Sequence, residues 1–237
     1  QGIIPPAAPG PVFLIRKPSS RVIRLSEYLE QDVIDIEQFE KIRDAVRKRE
    51  AILVVGGTMS GKTTFANAVL DEIATQFPGD RVAIIEDTLE LKCNVANRLH
   101  LRTTPTQTMD DLLRYCMRLS PHRIVVGEVR GPEAYSLVKA WNTGHPGGIS
   151  TVHANSARTG LMRLGQLISE ANVAPCPEGI AEAVNMVVYI EQTQNNRCGR
   201  VVREIARVKG YDKGTGEYVF ADPMVKVSEL RKDASIV

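Results

Sequence analysis

The run Gly56-Gly57-Thr58-Met59-Ser60-Gly61-Lys62-Thr63 constrains this chain more than any other feature. It follows Ala51-Ile52-Leu53-Val54-Val55, a short apolar run of the kind that forms a buried strand. It precedes Thr64-Phe65-Ala66-Asn67-Ala68-Val69-Leu70, which has helical spacing. Strand, glycine-rich loop and helix in the pattern G-x-x-x-x-G-K-[ST] make a phosphate-binding loop. Glycines let successive backbone N–H groups turn inward around phosphate oxygens, and the helix N-terminus adds partial positive charge. Gly57, Thr58, Met59, Ser60, Gly61, Lys62, Thr63 and Thr64 are therefore the expected nucleotide-binding residues. Lys62 reaches the outer phosphates, and Thr63 offers its hydroxyl to Mg²⁺. Met59 stands where many such loops carry another glycine, a strained choice if that position needs φ > 0.

Elsewhere, apolar runs alternate with helical patterns. Arg81 to Ile85 and Arg123 to Gly127 read as buried strands, Ala96 to Leu101 as a half-buried one, and Gly148 to Val152 as another strand. Leu25 to Leu29 and Ile36 to Val46 have helical spacing, with Phe39, Ile42 and Val46 on one face. Thr108 with Asp111 has capping-box spacing and opens a helix whose stripe Leu112, Leu113, Cys116 and Leu119 points to a core; Pro121 is its expected end. Pro132 to Trp141, 156–171 and 177–185 are further predicted helices. Val187 to Glu191, Val201 to Val208 and Glu217 to Phe220 are predicted C-terminal strands, the last two joined by a turn at Lys213-Gly214-Thr215-Gly216. The alternation predicts an α/β fold with a mainly parallel sheet covered on both faces. Residues 1–11, with Pro5, Pro6, Pro9 and Pro11, read as linker rather than core.

Composition narrows the function. A net charge of +2 and 5% aromatics supply neither a basic track nor a base-stacking surface, so direct nucleic-acid binding is not expected. No apolar run approaches the roughly 18 residues of a membrane span. Cys93, Cys116, Cys176 and Cys198 are scattered without a C-x-x-C pair, as befits free thiols in a reducing compartment.

In parallel sheets ligands gather at the carboxyl ends of the strands. There this sequence places Glu86-Asp87 with Glu90, then Gly127-Glu128-Val129-Arg130-Gly131, then His153-Ala154-Asn155. Glu128 is the candidate carboxylate for Mg²⁺, directly or through water, and could also polarise the attacking water. Glu86 or Glu90 offers a second carboxylate for the same work, and the choice between them stays open. His153 is placed to sense the γ-phosphate. His145, among glycines, is an open candidate for the same neighbourhood.

Taken together, the loop, Ile85-Glu86-Asp87 with Glu90, Val126 to Gly131 and Thr143 to Ser156 resemble the Walker A, Asp, Walker B and His boxes of the secretion and conjugation traffic ATPases, in that family's order. Lys139-Ala140-Trp141-Asn142 resembles its TrbB-type conjugal-transfer branch. The resemblance implies a RecA-like P-loop NTPase domain with C-terminal antiparallel strands, binding ATP and Mg²⁺ and using Glu128, Glu86, Lys62 and His153 in catalysis. It implies a hexameric ring at the cytoplasmic face of the inner membrane, peripheral to it, touching secretion or conjugation apparatus proteins. It implies hydrolysis that drives assembly or substrate transfer. A pilus or type II secretion motor is the neighbouring reading, and a nucleotide-gated nucleic-acid motor the more distant one. Residues 1–25 are expected to be linker and remnant of a preceding domain, and 26–237 the ATPase domain. Arg16, Arg98, Arg102 and Arg118 are candidates for an arginine acting in trans. The chain departs from the family's pattern at Ser120-Pro121-His122-Arg123, where similar sequences tend to carry an acid before the arginine.

Overall fold

The run Ile52–Gly56 lies at the centre of the sheet because its side chains have apolar partners on both faces. In the computed structural model, which describes residues 2–15 and 21–221, this strand is β3. The others in chain order are β1 (Gly2–Ile3), β2 (Val12–Phe13), β4 (Val82–Glu86), β5 (Arg98–Arg102), β6 (Arg123–Val126), β7 (Ile149–His153), β8 (Met186–Gln192), β9 (Arg200–Asp212) and β10 (Glu217–Phe220). The helices are α1 (Leu25–Glu30), α2 (Ile36–Arg47), α3 (Lys62–Gln76), α4 (Met109–Cys116), α5 (Glu133–Asn142), α6 (Ala157–Ser169) and α7 (Pro177–Ala183). The main sheet runs β10-β9-β8-β3-β7-β6-β4-β5. From β8 to β5 all neighbours are parallel; β9 and β10 add antiparallel ladders at the other end. Among the described residues β1 and β2 pair only with each other.

Side chains alternate across the sheet, so β3 feeds two cores. Ile52 and Val54 pack with Tyr28, Ile42, Val46, Phe65 and Val69 of α1, α2 and α3. Leu53 and Val55 pack with Leu113, Leu137, Leu161 and Ile180 of α4, α5, α6 and α7. The expected α/β architecture, mainly parallel with antiparallel C-terminal strands, is what the chain adopts. Among the described residues no helix is long and apolar enough to cross a membrane, and all four cysteines are free.

Local signals translate closely. Thr108 Oγ1 accepts from Asp111 N at 3.2 Å and Asp111 Oδ2 accepts from Thr108 N at 3.0 Å, so the capping box opens α4. The helix then stops at Cys116, well before Pro121, and Leu119 is 40% exposed rather than core. The chain has already left helical geometry there: Ser120, just before the proline, sits at φ 48°, in the left-handed region.

At the amino ends of the strands Arg123 is buried, and its acid partner comes from far along the chain. Arg123 Nε donates to Asp80 Oδ2 at 2.7 Å, Nη1 to Gly147 O at 3.0 Å and Nη2 to Val46 O at 3.3 Å. Arg49 grips the same carboxylate with both terminal nitrogens, at 3.0 and 2.7 Å. Both guanidinium groups lie over the Phe77 ring. Asp80 thus fills the place for which the sequence before Arg123 offers no acid. Burial raises the Asp80 pKa, but the hydrogen bonds from Arg49 and Arg123 prevail and hold it below its ordinary value.

Candidate functional site

β3 ends at Gly56 and α3 begins at Lys62, so the loop between them turns the N-terminus of α3 toward the carboxyl edge of the sheet. Gly61 caps the helix at φ 101°, where a side chain would be strained. Met59 sits at φ 61° with 80% exposure, so this methionine does occupy the left-handed region. Its carbonyl accepts from Gln192 Nε2 at 3.2 Å. Ser60 is buried, and its hydroxyl has no hydrogen-bond partner among the described residues.

Lys62 is 7% exposed. Its ammonium donates to Gly56 O at 3.1 Å and Gly57 O at 2.8 Å, and lies 3.3 Å from His153 Nδ1. Burial pushes its pKa down, the neighbouring Glu128 opposes this, and Arg130 reinforces it. His153, the last residue of β7, links the lysine to Glu128: its Nε2 is 2.8 Å from Glu128 Oε1. That approach lies off the line of a hydrogen bond, so Oε1 is a buried carboxylate oxygen with no hydrogen-bond partner among the described residues. Arg130 holds the other oxygen, Oε2, in an ion pair. Hydrogen bonding to Glu128 in turn raises the pKa of Arg130.

The turn that carries Glu128 is fixed from two sides. Thr151 Oγ1 donates to Gly127 O at 2.9 Å, and Val129 N donates to Thr151 O at 2.9 Å. Beneath it lies Glu86, 3% exposed. An added Cβ at Gly127 would come 2.9 Å from Glu86 Cγ, so only glycine fits over this carboxylate. Glu86 Oε1 accepts from Glu90 N at 3.1 Å and Leu91 N at 3.0 Å, and Oε2 is 2.6 Å from His100 Nε2. Glu90 contributes through its backbone, its carbonyl accepting from Asn67 Nδ2.

Lys62, Glu128 and His153 are therefore brought together, with Thr63 next to the lysine at the helix start and Glu86 behind the turn. A buried carboxylate oxygen without a hydrogen-bond partner, at the sheet edge that carries a phosphate-binding loop, suits a hard divalent cation or its water, and Thr63, next to Lys62, has a hydroxyl of the same oxygen-donor kind. Thr63 and Glu128 fit Mg²⁺ on this ground. His145 does not join them. It precedes β7, where Gly148 O accepts from Ile52 N, at the amino edge of the sheet. Of the candidate arginines, Arg98 and Arg102 sit at the two ends of the outer strand β5, and Arg118 follows α4; all three are exposed and away from the loop. Arg16 lies outside the described residues. Arg130 was legible only as part of a motif, and its hold on Glu128 had no separate signal.

Residues 3–219 match the family described as Type II/IV secretion system protein. The chain belongs to that family. Within the type II/IV secretion family it is 47% identical over 211 residues to the conjugal transfer protein TrbB of Rhizobium radiobacter, covering 89% of this chain and 64% of that protein. It is 46% identical over 231 residues to the probable conjugal transfer protein TrbB of Sinorhizobium fredii, covering 98% of this chain and 70% of that one. It thus spans about two thirds of the length of these relatives. Among solved members, the VirB11 ATPase of the Brucella suis type IV secretion system, in complex with sulphate, superposes with a TM-score of 0.66 at 29% identity, over 81% of this chain and 65% of that one.

Proposed function

We propose that this chain binds ATP with Mg²⁺ and hydrolyses it, and that hydrolysis powers assembly or substrate transfer in a conjugative type IV secretion system. The observation that carries the reading is the unpartnered Glu128 Oε1, set within reach of His153 and, through it, Lys62. Two relatives are named conjugal transfer proteins. The Brucella ATPase was solved with sulphate, an anion shaped like phosphate.

Amides of residues 57–64 and the Lys62 ammonium hold the phosphates, and Lys62 exchanges its bonds to Gly56 and Gly57 for phosphate oxygens. Thr63 and Glu128 would hold the cation, directly or through water, and the cation would offset charge on the outer phosphates. Glu128 Oε1 accepts a proton from the attacking water or orients it. His153, released by Lys62, faces the γ-phosphate. Glu86, with both oxygens engaged, acts by holding the Gly127 turn and the 90–91 backbone in place. An arginine from a neighbouring copy in a hexameric ring completes the site. Of the described candidates, Arg102 lies at the carboxyl end of an outer strand. The ring works at the cytoplasmic face of the inner membrane, attached through apparatus proteins rather than by insertion, and does not bind nucleic acid directly.

Phosphate release at several protein concentrations tests this. The protein should release phosphate from ATP–Mg²⁺ with specific activity that rises with concentration, and Lys62→Ala should abolish it. Absence of any release by the unaltered protein, or release unchanged in Lys62→Ala, would remove the assignment. Light scattering with and without ATP–Mg²⁺ tests the ring.

A further inference from the structure

The strands beside β3 give a bound nucleotide a direction. Glu128 and His153 follow β6 and β7, on one side of the loop, and the Lys62 ammonium is turned toward them. β8 and β9 lie on the other side. With the terminal phosphate drawn to Lys62, His153 and Glu128, the inner phosphates and the nucleoside fall toward the β8–β9 hairpin.

That hairpin presents Arg200 to the loop. An added Cβ at Gly61 would come 2.7 Å from Arg200 Nη1 and 3.3 Å from its Cδ, so the side chain lies directly against the glycine that starts α3. The placement is supported. Asn196 Nδ2 donates to Arg200 O at 2.7 Å and Asn196 Oδ1 accepts from Arg200 N at 3.3 Å. Asn196 Nδ2 also donates to Asp32 O, and Gln192 on the same hairpin holds Met59 O. Yet Arg200 is half-buried, and among the described residues no carboxylate lies within 4.0 Å of it. Arg49, Arg123, Arg203 and Arg207, also at least partly buried, each have an acid. A partly desolvated guanidinium without a counter-ion, held against a phosphate loop, is completed by an anion.

We infer that Arg200 binds the inner phosphates of the nucleotide within its own subunit, from the β8–β9 side. This rests on the nucleotide-binding reading above. It assigns Arg200 a role distinct from an arginine acting in trans. An inner-phosphate contact is present with ADP and ATP alike, so it strengthens binding of both and contributes little to the chemical step.

The test is equilibrium binding of fluorescently labelled ADP and ATP, with Mg²⁺, to the unaltered protein, Arg200→Ala, Arg200→Lys and Lys62→Ala, with thermal melts confirming that each is folded. Arg200→Ala should weaken ADP and ATP by the same factor, about tenfold or more, and Arg200→Lys should restore part of the loss. In turnover, KM should rise while kcat holds. Unchanged affinity in Arg200→Ala, or a fall in kcat with ADP affinity intact, would overturn the Arg200 assignment while leaving nucleotide binding standing. Failure of the unaltered protein to bind either nucleotide would overturn both.

Discussion

At the amino edge of the sheet, Arg123 is 1% exposed, and all three of its nitrogens donate to Asp80 or to backbone carbonyls. At the carboxyl edge, a few residues further along the same strand and turn, Glu128 is held by Arg130 through one oxygen and leaves the other buried beside His153 without a hydrogen-bond partner. Ser60, in the loop alongside, has a buried hydroxyl in the same condition. The Arg123–Asp80 network and the Glu128 turn share burial and charge but differ in completeness. Satisfied groups at one edge lock the ends of β3, β4, β6 and β7 together. The Glu128 oxygen without a hydrogen-bond partner lies beside the phosphate-binding loop, where a ligand can supply what the protein withholds.

Variants should separate the two edges. Asp80→Ala leaves Arg123 buried without its acid and should cost about 3–5 kcal/mol of stability, read from the urea midpoint. The fraction that remains folded should keep its KM for ATP. Because the folded-state pKa of Asp80 is depressed, its contribution is present above the unfolded carboxylate value and lost as pH falls through the folded one. Asp80→Asn should therefore flatten the acid limb of stability, and an unchanged limb would mean that this network does not anchor the fold. Glu128→Gln should do the reverse, lowering kcat by about 10²–10³ with little loss of stability; a large drop in the unfolding midpoint would place Glu128 among the structural charges and erase the contrast. Met59→Gly should have the smallest effect. Relief of the φ 61° strain is offset by the greater freedom of an unfolded glycine, so stability should move by less than about 1 kcal/mol. A gain in nucleotide affinity of about tenfold or more would show that the methionine distorts the loop.

Much of the fold is legible along the chain because its signals are local. The loop pattern, the Thr108–Asp111 capping box and the apolar runs each span a few residues, and each forms where its spacing says. The groups brought to the carboxyl edge follow from one topological rule applied to consecutive strands, which is why Glu128 and His153 could be placed beside Lys62 beforehand. The same rule applied loosely misleads. His145 shares glycines and a strand with His153 but precedes β7 instead of ending it, and so lies at the other edge. Pairings between distant residues leave no local trace. Asp80 meets Arg123 across 43 positions, and Arg200 reaches Gly61 only because β9 folds back beside β8. Leu119 fails for a related reason: periodicity extends past a helix end unless something marks the stop, and the left-handed Ser120 is not visible as a stop.

The outer strand β5 presents Arg98, His100 and Arg102 on alternate positions, and at the far end of the sheet β10 is only four residues long. Neither border offers the long, flat, apolar ladder that recruits further strands. Copies of this chain that come together at high local concentration are thereby steered away from end-to-end sheet growth and toward contacts between helices and loops. Such contacts can be broken and remade at each turn of a working cycle, whereas a continuous ladder of backbone hydrogen bonds cannot.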